Sequence, residues 1–146
     1  MARGDLVLIC ASLIVIQLVV VSSEDIDYTT IHDELKKLAG GMRKKCLAEI
    51  SGVTNEMLVE AEQGEFPDDN NLACYFKCVM EKGGVLKKDG KINFKVLNKM
   101  MPPAFKKVGS EMLDECREIN GNDNCELAYN FNKCMFNANP VAYFVI

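Results

Sequence analysis

Apolar positions along the chain recur with helical spacing in six stretches. The first carries Ile31, Leu35, Leu38, Met42, Leu47 and Ile50 on one drifting face, and Thr30 with Asp33 three residues on resembles a capping box at its start. Gly40-Gly41 is where this stretch would split or kink. A short second helix is expected from the cap Thr54 through Met57, Leu58 and Ala61 to Gly64. In the third, Leu72, Tyr75, Phe76, Val79 and Met80 follow the i, i+3, i+4, i+7, i+8 template until Gly83-Gly84 stops it. Asn93 caps a fourth with Phe94, Leu97, Met100 and Met101; Pro102-Pro103 end it and open a fifth with Phe105, Val108, Met112, Leu113 and Cys116. Asp123, with Glu126 three residues on, opens a sixth through Leu127, Ala128, Tyr129, Phe131 and Met135 to Pro140. The only hairpin signal, Asp89-Gly90, has flanks too short and too weakly alternating for strands. The expected class is all-α, with six helices.

The N-terminus has a different pattern. Arg3 precedes an almost uninterrupted apolar run of 16 residues, Leu6 to Val21, followed by Ser22 and Ser23. That run is shorter than the roughly 20 residues of a membrane span and reads as a secretory signal over residues 1–23. One domain, residues 24–146, is expected to follow, and the protein is expected to be secreted into extracellular fluid.

Seven cysteines occur, and setting aside Cys10 in the leader leaves Cys46, Cys74, Cys78, Cys116, Cys125 and Cys134, an even number that reads as three disulfides. Cys74 and Cys78 share a helical face, so each reaches another segment more easily than the other. Cys125 and Cys134 lie on opposite sides of the sixth helix and should take different partners. Several of the possible pairings stay open on these grounds. A zinc site at Cys74 and Cys78 is disfavoured, because no second close pair exists and His32 is the only histidine.

The net charge of −4, without a basic stripe, argues against nucleic acid and anionic membrane surfaces. No Asn-x-Ser/Thr sequon occurs. Catalytic patterns such as HExxH, GxSxG and phosphate loops are absent, and CYFKCVMEK lacks the histidine that a secreted phospholipase would need beside its helical cysteines. His32, beside Asp33 and Glu34, reads as a solvated surface residue. Neither an enzyme nor a cofactor is expected.

The apolar surface suits a carrier, which needs more inward-facing apolar area than its helices bury on one another. Candidate cavity residues are Phe76, Phe94, Leu97, Met101, Phe105, Val108, Met112, Tyr129 and Phe131. Abundant methionine, at Met42, Met57, Met80, Met100, Met101, Met112 and Met135, suits a cavity that adapts to its contents. From Met135 onward only Lys-free, uncharged residues remain, ending in Val-Ala-Tyr-Phe-Val-Ile. Such a tail packs on the domain, making Tyr143, Phe144, Val145 and Ile146 candidates for a lid.

The gaps between the six cysteines are 27, 3, 37, 8 and 8 residues. Together with LACYFKCVMEKGG, the KDGKIN turn and the ANPVAYFVI end, they make the chain similar to insect odorant-binding proteins, and most similar to those with a medium-length C-terminal tail. The resemblance implies a six-helix, disulfide-stapled domain around a closed apolar cavity, with pairs Cys46–Cys78, Cys74–Cys125 and Cys116–Cys134. It further implies that the tail walls the cavity and that ligand is released on acidification, for which the Ile146 carboxylate offers a titrating group. Relatives holding short alcohols do so through a hydroxyl two residues past the second cysteine. Phe76 stands there, so a larger and more apolar ligand is expected, with Tyr129 or Tyr143 donating one hydrogen bond. The partners implied are a small hydrophobic ligand and a membrane receptor, with the protein a monomer or weak homodimer. The competing class is a secreted protein-interaction or sequestering module on the same fold.

Overall fold

A computed structural model describes residues 26–146; the leader expected over residues 1–23 lies outside them. Six α-helices are present among the described residues: α1 (Tyr28–Glu49), α2 (Asn55–Glu62), α3 (Asn70–Lys82), α4 (Phe94–Met100), α5 (Lys106–Glu115) and α6 (Asn124–Ala138). A 3-10 turn, Pro103–Phe105, leads into α5, as proline-led starts do. No helix among the described residues is long and apolar enough to cross a membrane.

Helix starts are local contacts, and most fall where the sequence places them. Thr54 Oγ1 accepts from Met57 N at 3.3 Å, Asn93 Oδ1 from Val96 N at 3.2 Å, and Asp123 Oδ1 from Glu126 N at 2.9 Å. The first helix differs. It starts earlier than expected, with Asp27 as its cap, and Thr30 donates to that carboxylate from both its hydroxyl and its N–H. Gly40-Gly41 does not interrupt the helix. Ala39 and Cys46 are buried on either side, and their tertiary contacts outweigh about 1 kcal/mol of helix propensity lost at each glycine.

Helices α3 and α6 form the principal packed pair, with α1 across α3 and α5 across α6. The fully buried Tyr75, Leu58, Leu72 and Leu113 lie in this core. Three disulfides staple it: Cys46–Cys78 joins α1 to α3, Cys74–Cys125 joins α3 to α6, and Cys116–Cys134 joins the end of α5 to α6. These are the pairs the resemblance implies. The Asp89-Gly90 turn closes with a single bridge between Leu86 and Ile92, shorter than any strand.

Helix α2 ends on Gly64 at φ +93°, with Glu65 N donating to Glu60 O at 2.9 Å in a Schellman-type cap. A Cβ there would stand 2.5 Å from Phe136 Cε1. Gly64→Ala therefore meets both a backbone and a packing penalty, and is expected to cost about 2 kcal/mol in urea unfolding. A change below about 0.5 kcal/mol would mean that the ring yields freely.

Candidate ligand cavity

The helices do not fill the space they enclose. A cavity of about 380 Å³ remains, within the range of ~300–1,000 Å³ usual for small-molecule sites. Helix α1 gives it Leu35, Leu38, Ala39 and Met42, and α3 gives Tyr75, Phe76, Val79 and Met80. Leu97, Met100 and Met101 close the α4 side, with Phe105, Met112 and Leu113 from the next two elements. Phe131, Asn132 and Met135 project from α6, and Ala142, Tyr143, Phe144 and Ile146 complete the wall from the tail. Gly83 and Val85 lie past the end of α3. Among the described residues no charged side chain lines it, and the polar side chains in the wall are Tyr75, Asn132 and Tyr143. Leu38 and Met100, exposed by 82% and 48%, mark where the cavity reaches solvent.

Nine candidates from the sequence lie in this wall: Phe76, Leu97, Met101, Phe105, Met112, Phe131, Tyr143, Phe144 and Ile146. Four do not. Phe94 sits behind Phe131, at 6.3 Å between ring centroids, with the Arg117 guanidinium over its own ring at 5.1 Å. Val108 is half-buried and packs against the core beside the cavity. Tyr129 turns outward, its hydroxyl donating to Phe66 O at 2.7 Å and Pro67 O at 3.0 Å. Val145 is buried in the core cluster and does not line the cavity. Leu35, Leu38 and Ala39 of α1 and Asn132 of α6 line the cavity without being among the candidates, although the first two lie on the apolar stripe of α1. Six methionines line the wall, all of those noted except Met57.

The tail is held at several points. Asn139 Oδ1 accepts from Val141 N at 3.2 Å and Ala142 N at 3.0 Å, turning the chain after α6. His32 is not a solvated surface residue: its Nε2 lies 3.0 Å from Ala142 O, so it carries the proton, and its ring stands 4.9 Å from that of Phe144. The tail's packing on α1 creates this site, which local sequence does not encode. Tyr143 Oη donates to Asn132 Oδ1 at 3.1 Å, and Tyr75 Oη donates to the main-chain oxygen of Ile146.

Burial pushes the Tyr75 hydroxyl up to about 12, the charge of Arg43 acting the other way. Burial also raises Tyr143, and the charge of Glu62 raises it further. Both are therefore neutral donors at physiological pH. Because its folded pKa is raised, the stability Tyr75 contributes is fully present below the ordinary 10.0 and is lost as pH rises from there through about 12, and for Tyr143 the loss continues to higher pH still. The urea midpoint should fall across that window, and fall less steeply in Tyr75→Phe; identical slopes would show that Tyr75 ionises freely.

The family model described as the PBP/GOBP family matches residues 29–138. The chain belongs to this family. It is 30% identical over 112 residues to general odorant-binding protein 56a of Drosophila melanogaster, covering 75% of this chain and 79% of that protein. Among solved structures, odorant binding protein 5 of Apis mellifera superposes with a TM-score of 0.72 at 34% identity, covering 79% of this chain and 97% of that one. Odorant binding protein 4 of Chrysopa pallens gives 0.71 at 29% identity over 78% of this chain and 97% of its own. Odorant binding protein 7 of Anopheles gambiae, solved with four disulfide bridges and an azo compound, gives 0.63 at 30% identity over 78% of this chain and 97% of that one. These relatives are named as odorant-binding proteins, and the all-α fold is common ground with the solved ones.

Proposed function

We propose that the protein is a secreted carrier that encloses a neutral, apolar small molecule, of odorant, pheromone or lipid-like type, and transports it through extracellular fluid to a membrane receptor. The observation that carries this reading is the apolar cavity of about 380 Å³ with no charged side chain in its wall among the described residues. A charged ligand would lose its hydration there with no partner to replace it, so uncharged compounds are favoured. Family membership supports carriage of a small ligand, the azo-compound complex of a relative shows a small molecule held on this fold, and the leader pattern supports secretion. Affinity comes from apolar area buried at about 25 cal/mol per Å², less the cost of association.

Displacement of an apolar fluorescent probe from the disulfide-intact protein tests the reading. Neutral long-chain compounds should compete at micromolar levels and, at about a hundredfold excess over Kd, add about 2.7 kcal/mol of stability. Failure of every such compound to bind would transfer the function to a protein-interaction surface.

A further inference from the structure

The cavity's polar groups are few, and their hydrogens can be followed one by one. The two tyrosines in the wall have already donated theirs, Tyr143 to Asn132 Oδ1 and Tyr75 to the Ile146 main-chain oxygen. Tyr129, the other expected handle, donates outside the cavity. What remains is the Asn132 carboxamide. Its orientation is fixed by Ala128 O, which can only accept and lies 2.8 Å from Nδ2, so that Oδ1 is the atom that accepts from Tyr143. One Nδ2 hydrogen is thereby used. The other has only the Met80 thioether, 3.8 Å away, and a thioether sulfur is a weak acceptor. Asn132 and Met80 both line the cavity.

We infer that Asn132 is the polar anchor of the ligand, donating its second Nδ2 hydrogen to a carbonyl-type oxygen on an otherwise apolar molecule, with Met80 yielding its place. The inference rests on the carrier reading and sharpens it from neutral apolar compounds to those with a single acceptor oxygen, such as long-chain ketones and esters. A carbonyl is satisfied by this one donor, while an alcohol can take it too and give its own proton to Asn132 Oδ1 or a tyrosine hydroxyl oxygen. Among the described residues the walls offer no second free donor, so a ligand with two separated acceptors would bury one of them unpaired. Methionine's flexible side chain lets Met80 swing aside without opening a rigid void.

The test compares a long-chain methyl ketone with the n-alkane of equal heavy-atom number, each displacing an apolar fluorescent probe from wild type, Asn132→Leu and Met80→Leu. In Asn132→Leu the ketone should weaken about tenfold relative to the alkane, whose binding also reports that the variant is folded. In Met80→Leu the amide hydrogen loses its fallback acceptor, and the ketone should gain relative to the alkane. An unchanged ketone-to-alkane ratio in Asn132→Leu overturns the inference while leaving the carrier reading intact. If neither compound binds wild type, the carrier reading fails and this inference with it. Should Asn132→Leu not fold because Tyr143 loses its acceptor, Met80→Leu decides: a ketone-specific gain supports the anchor and an unchanged ratio overturns it.

Discussion

Replacing Cys74 and Cys125 together by serine is expected to lower the unfolding free energy by about 4 kcal/mol, close to the whole stability of many domains of this size. The bridge closes 51 residues of sequence, against 32 for Cys46–Cys78 and 18 for Cys116–Cys134, so it removes the most chain entropy from the unfolded state. It also ties α3 to α6, the pair that forms the centre of the core and two walls of the cavity. Loss of the Cys116–Cys134 bridge is expected to cost less, about 3 kcal/mol. Urea unfolding under non-reducing conditions measures both. Losses below about 1 kcal/mol for each pair would mean that the apolar core holds these helices without staples.

Truncation after Pro140 should have the second largest effect. It removes the buried Ala142, Tyr143 and Val145 together with the lining Phe144 and Ile146. The domain should lose about 2–4 kcal/mol of stability, the apolar area re-exposed being partly offset by the freedom the tail regains. Probe affinity should fall more than tenfold, because the cavity loses a wall and its contents meet water. Full retention of affinity would show that the tail covers a groove without enclosing the ligand. His32→Ala is a milder version. It deletes the bond to Ala142 O and the contact with Phe144, and should loosen the tail while leaving the helices in place.

What was legible in the sequence follows the range of the interactions involved. The caps at Thr54, Asn93 and Asp123 each satisfy an N–H three residues away, so residue type and spacing are enough to place them. At the first helix two local solutions competed. Asp27 with Thr30 prevailed over Thr30 with Asp33, because a carboxylate accepts both the hydroxyl and the amide of Thr30. The apolar period showed which face of each helix is inward, but not what that face meets. Tyr129 and Phe131, two residues and so about 200° apart on α6, face opposite ways, and only Phe131 reaches the cavity. Phe94 shares the face of Leu97 on α4, but it meets the ring of Phe131 and does not line the cavity.

By itself the sequence determined the local and the covalent: helical class, most element boundaries, the helical faces to be buried, an uncharged tail that had to pack, and a cysteine spacing matched by a family. Those properties depend on neighbours within a few residues, or on a pattern that can be counted. Tertiary structure alone decided which faces enclose empty space and where polar groups in that space find partners. The α1 wall, His32 beneath the tail, and Asn132 between Tyr143 and Met80 join residues 11 to 110 positions apart, as for Tyr143 with Asn132 and His32 with Ala142. Contacts at such separations exist only once helix packing and disulfides have fixed the frame, because each alone is too weak to offset the entropy of ordering the chain between its ends.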